Sequence, residues 1–142
     1  MATFDIAAVR AAIKSILSGL ASVKSVYDYQ NAEIKGYPSC IFVMSNEDSS
    51  FLDDAYNTRV LTFTIWVVCE IGVKGLTGAN ALLDAVAKDV INALELGTNS
   101  TLSGACDWLM PAAGKREITS TPEGSSMYQE LSLKVYIASA IV

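Results

Sequence analysis

Apolar residues recur at period two along Arg59–Ile71, RVLTFTIWVVCEI. Leu61, Phe63, Ile65, Val67 and Cys69 fall on one side of an extended chain, and Val60, Thr62, Thr64, Trp66, Val68 and Glu70 on the other. That spacing predicts a strand with one wholly apolar face and one mixed face. At about 3.3 Å per residue its thirteen residues span on the order of 40 Å, well beyond an average strand. The mixed face carries Val60, Trp66 and Val68, too much apolar surface for a face that meets only water.

Helical periodicity occurs twice. Asp5 to about Ser18 places Ile6, Val9, Ile13, Ile16, Leu17 and Leu20 on one stripe, with Asp5 as N-cap and Gly19 at the C-terminal stop. Ala79 to about Leu96 aligns Leu82, Leu83, Val86, Val90, Ile91 and Leu94, with Thr77 or Asn80 as the cap and Gly97 as the end. Val23–Tyr29 is rich in β-branched and aromatic residues and predicts a short strand; Ser39–Ser45, after Pro38, predicts a second. Asn46–Asn57, NEDSSFLDDAYN, is a predicted loop of twelve residues where a hairpin needs about two to five. Two readings of it stand side by side: an arm whose Phe51 and Leu52 dock on a neighbour, or a solvated loop that tucks both residues under itself.

Residues 97–114 have poor periodicity. Lys115–Pro122 and Ser126–Ala138 frame the turn Glu123-Gly124 and predict a hairpin. In its second strand Leu131, Leu133, Val135 and Ile137 oppose Glu130, Ser132, Lys134 and Tyr136, which gives one buried and one wetter face. The order α-β-β-β-α-β-β, with hairpins dominating, predicts a single α+β domain over 1–142. Its expected form is an antiparallel sheet of four to five strands with both helices on one face.

Composition narrows the function. Apolar residues are 51% and charged residues 18%, against a usual charged fraction of about 25%. The net charge is −5 with no cluster of Lys or Arg, which disfavours gripping a phosphate backbone. No apolar run approaches the roughly 18 residues of a membrane span. The acidic residue near the start argues against a signal peptide, so a place in the cytoplasm of the cell that makes the chain is expected.

Candidate chemistry is sparse. There is no histidine, which removes the commonest general base and the usual Ser-His and Cys-His pairs. Glu47-Asp48 and Asp53-Asp54 are adjacent carboxylates in a polar loop, without the buried setting that tunes a catalytic acid. GVKGLTGAN matches neither the P-loop nor G-x-G-x-x-G. Cys40, Cys69 and Cys106 are widely spaced; Cys40 and Cys69 fit small buried hydrophobes better than metal ligands. No catalytic, cofactor or metal site is expected, and the chain is not expected to be an enzyme. What remains is surface. Trp66 and Tyr136 lie on the mixed faces of two strands, and either a partner covers them or residues 97–114, with Trp108, fold back over them.

With that element order, the segments YPSCIFVMSNED, RVLTFTIWVVCEI and EITSTPEGSSMYQELSLKVYIA resemble the tail-terminator, tail-completion and head–tail joining proteins of long-tailed bacteriophages. The resemblance rests on length, element order, Tyr-Pro before the second strand, and an acidic loop before a long strand. It implies a virion protein of the tail or neck that forms a homo-oligomeric ring, of six subunits, with the tail tube protein and head–tail connector proteins as partners. DNA would pass through the lumen without being held. It also implies an interface near Thr62, Thr64, Trp66 and Tyr136, with Phe51, Leu52, Asp53 and Asp54 meeting a partner protein. Two other readings compete: a binding module that self-associates through its sheet, and a small ligand-binding domain or enzyme.

Overall fold

A computed structural model describes residues 5–30, 34–51, 56–72, 75–121 and 124–140. In chain order it contains α1 (Ile6–Ser18), β1 (Ser25–Tyr27), β2 (Ser39–Phe51), β3 (Tyr56–Glu70), α2 (Gly75–Glu95), β4 (Trp108–Thr121) and β5 (Gly124–Ala140). Two short 3-10 turns, Gly97–Asn99 and Leu102–Gly104, link α2 to β4. The five strands form one sheet in the order β1-β2-β3-β5-β4.

Both helices lie on one face of this sheet because each has one apolar stripe to bury. In α1 the buried residues are Val9, Ile13 and Leu17, spaced by four. Asp5 caps it, its carboxylate accepting a hydrogen bond from Ala8 N at 3.2 Å. In α2 they are Ala79, Leu83, Val86, Ala87, Val90 and Leu94. These meet Phe42 of β2, Leu61, Phe63, Ile65 and Val67 of β3, and Leu131, Leu133, Val135 and Ile137 of β5 in one core. The period-two face of Arg59–Ile71 is the centre of that core, with Leu61 through Cys69 fully buried at alternate positions. α2 starts before Ala79, so Thr77 and Asn80 lie inside the helix rather than capping it. Asn80 instead accepts a hydrogen bond from Arg116 Nη1 at 3.1 Å.

The sheet is mixed, not purely antiparallel. β1 is only three residues long and pairs parallel with β2, Ser25 opposite Ser39 and Tyr27 opposite Ile41. A parallel pair starts both strands at the same end of the sheet, so a crossover and not a hairpin joins them. Lys24 N donates to Pro38 O at 2.8 Å and Ser25 Oγ to Gly36 O at 2.7 Å, tying the crossover down. The remaining strand pairs are antiparallel.

Two strands are longer than their sequences suggest. Asn46–Phe51 is strand, not loop: after an irregularity at Ser45, β2 continues to pair with β3 from Asn46 opposite Thr62 to Phe51 opposite Asn57. Ser45 Oγ bridges the irregularity by donating to Thr62 O at 3.1 Å. β4 begins at Trp108, seven residues before the predicted Lys115. It carries a bulge between Ala113 and Arg116 that interrupts its alternation. At this bulge Gly114 comes so close to β5 that a Cβ would lie 2.8 Å from Glu130 O. The buried amide of Gln129 serves the same bulge, donating to Gly114 O at 2.7 Å and accepting from Arg116 Nε at 3.0 Å. Arg116 continues to Asp84 Oδ1 of α2 at 2.7 Å, so one polar chain links both layers.

All three cysteines are free and buried. Burial pushes the Cys40 thiol up to about 12 and, with the neighbouring Asp107 charge, the Cys106 thiol up to about 11. Because the folded state raises these values, the stabilisation from keeping the thiols neutral is complete below their ordinary pKa. It is lost progressively as pH climbs from there through the folded values. At pH 8 the native protein should therefore release no colour with an aromatic disulfide reagent, and all three thiols should react once it is denatured. Fast reaction of a native thiol would show that the core opens locally.

Candidate assembly surface

Side chains that alternate with the core residues of β3 point away from the helices. Val60, Thr62, Thr64 and Trp66 are each half-buried there, and among the described residues no helix lies on that face. Pairing brings the other strands into the same surface. Trp66 sits between Ile41 of β2 and Glu130 of β5, Thr64 between Val43 and Ser132, Thr62 between Asn46 and Lys134, and Val60 between Asp48 and Tyr136. β4 adds Ala112 opposite Ser132, Met110 opposite Lys134 and Trp108 opposite Tyr136.

The result is a broad face of apolar and small polar side chains, with Asp48, Glu130 and Lys134 among them, and not a pocket. Trp66 and Tyr136 share the face, but six register positions separate them along β3, about 20 Å at strand rise, so they do not form one cluster. Tyr136 is instead partnered by Trp108, with ring centroids 4.8 Å apart and planes at 59°. Trp108 remains 54% exposed and the adjacent Met110 48%.

Residues 97–114 thus do not fold back over the mixed face. The 3-10 turns carry Leu102 into the core, and β4 then runs beside β5 in the plane of the sheet, widening the face it was a candidate to cover. Trp108, expected as a cover for that face, instead lies on it beside Met110, and both become candidates for an interface. Their signal was local: Trp108 and Met110 alternate with Leu109 and Pro111 just before the bulge.

Of the arm residues, Phe51 is the last residue of β2, with Asn57 as its register partner. Leu52, Asp53 and Asp54 lie outside the described residues. At the base of the arm Arg59 Nη1 and Glu47 Oε1 pair at 3.0 Å.

At one end of this surface Lys115, Glu117 and Tyr128 form a local cluster. Tyr128 donates its hydroxyl to Glu117 Oε2 at 2.6 Å and Lys115 Nζ lies 3.4 Å from Glu117 Oε1. The Tyr128 hydrogen bond, with help from Lys115, holds the Glu117 carboxyl below its usual range. Free sheet edges are blunted. β4 has Pro111, which has no N–H to offer, and a bulge ending in Arg116, while the outer edge of β2 carries an irregularity at Ser45 followed by Asn46, Glu47 and Asp48. Such features disfavour edge-to-edge pairing and leave the broad face as the more extensive sticky surface. Among the described residues no helix is long and apolar enough to cross a membrane.

No protein-family model matches the chain, and no curated protein matches it in sequence. Among solved structures, a chain from the virion of a native gene transfer agent (GTA) particle is similar, with a TM-score of 0.53 and 17% identity. The match covers 94% of this chain and 97% of that one. At that identity the likeness is one of fold, and it spans the whole α+β arrangement rather than one motif.

Proposed function

We propose that this chain is a non-catalytic structural protein of a long-tailed, phage-like virion. It forms a ring, six subunits in number, that terminates the tail tube and joins it to the head connector. The observation that carries this reading is the helix-free sheet face, where Trp66, Trp108, Met110 and Tyr136 lie on a surface that no helix of the described chain covers. Patches of this kind mark surfaces that a partner buries. The fold shared with a chain of a gene transfer agent virion points the same way, toward assembly with other virion proteins.

In the ring, Thr62, Thr64, Trp66 and Tyr136 lie at the contact between subunits. Phe51, Leu52, Asp53 and Asp54 meet the tail tube or connector protein. DNA passes through the lumen unbound, because a net charge of −5 repels phosphate and lets the duplex slide.

Purified tail tubes that lack their head-proximal cap provide the test. The expected result is that the protein co-sediments with the tubes at a fixed ratio and appears as added density at one end in electron micrographs. Protein left in the supernatant at saturating tube concentration would remove the tail assignment.

A further inference from the structure

A ring closes only through a heterologous contact, in which each copy offers two unlike surfaces. The open sheet face supplies one of them. The helical layer supplies a concave counterpart: a cleft of about 420 Å³ between the C-terminal half of α1 and the end of α2, walled mainly by Ile16, Leu20, Leu96 and Leu102, with Ser15, Asn99 and Ser103 among them. Leu96 stands on its rim, 55% exposed.

The complementary convex feature is on the opposite layer. Trp108 is braced against the Tyr136 ring and Met110 is exposed beside it, so the two make an apolar knob with one anchored ring. Charge follows the same polarity. Lys134 is the register partner of Met110, Glu95 precedes Leu96, and both are exposed with no ion-pair partner among the described residues. Asp107, next to Trp108, is engaged by Ala138 N at 2.6 Å, so the unpaired cation beside the knob and anion beside the cleft set the direction of the contact and disfavour knob against knob.

We propose that the Trp108–Met110 knob of one copy seats in the α1–α2 cleft of a second copy, with Lys134 meeting Glu95 across the contact. This rests on the ring reading and names the two surfaces that would build it. A flexible thioether beside an anchored indole suits a shallow apolar seat.

Disulfide trapping tests the seat, using Leu96→Cys combined with Met110→Cys. Both positions are exposed, and the native thiols are buried and do not compete. Mild oxidation of the double variant is expected to give a ladder of covalent multimers, whereas neither single variant cross-links. In parallel, Lys134→Glu should raise the concentration needed for assembly about tenfold, and adding Glu95→Lys should restore it. Rings that form normally without a ladder would overturn the seat and leave the ring reading intact. Covalent dimers from Met110→Cys alone would show that the sheet face pairs with itself. A wild-type chain that stays monomeric even on tube ends would overturn both proposals.

Discussion

Thr62→Lys combined with Thr64→Lys is expected to leave the chain folded and abolish its assembly. Both threonines are half-buried at the centre of the helix-free face, opposite Lys134 and Ser132 on β5. Neither contributes to the core, and the strand-propensity scale spans only about 1 kcal/mol, so the melting temperature should move little. At a subunit contact the same change places two ammonium groups beside Lys134 on a desolvated surface. Mismatched charge there costs several kcal/mol, which corresponds to a loss of association of about a hundredfold or more. Sedimentation velocity, together with a thermal melt of the same sample, reads both effects. A variant that melts normally and still assembles at the wild-type concentration would exclude this face as the interface.

Phe63→Ala should do the opposite. Phe63 lies between those two threonines in sequence, but its side chain enters the core, fully buried and packed against Phe42 with ring centroids 6.3 Å apart. Truncation removes its transfer free energy and leaves a cavity between the sheet and the helices, at a cost of about 3–5 kcal/mol. For a domain of this size that lowers the melting temperature by about 10 °C or more. Urea denaturation should show the lower midpoint with an unchanged slope. A loss below about 1 kcal/mol would mean that the core around β3 is looser than its burial implies. On this account three consecutive residues are expected to separate assembly from stability, because a strand presents alternate side chains to opposite faces.

That alternation made β3 and β5 legible from sequence: both run through the core, so burial imposes period two on Leu61–Cys69 and on Leu131–Ile137. The helical stripes were legible for the same reason, with Val9, Ile13 and Leu17 all buried where the spacing put them. Elements off the core left no such imprint. Asn46–Phe51 is a polar strand held by pairing with β3, and polar composition alone made it read as a loop. β4 is an edge strand with a bulge at Gly114 and Lys115, which breaks its period where a pattern would be sought. The parallel pairing of β1 depends on a crossover whose geometry no local signal in residues 28–38 encodes. The candidate assembly face was half legible. Trp66 and Tyr136 stood out as aromatics on mixed faces, whereas Trp108 read as a candidate cover for that face and Met110 drew no notice until β4 joined the same sheet.

The most direct test of the account is the native mass of the purified protein over a range of concentrations, with electron micrographs of the same sample and of the protein added to tube ends. The account predicts closed rings of six subunits, formed alone or on the tube end, because a heterologous contact that closes yields a ring of defined size. A dimer that is unchanged across all concentrations and in the presence of tubes would contradict it, since a dimer buries the sheet face against its own copy and leaves no surface to propagate.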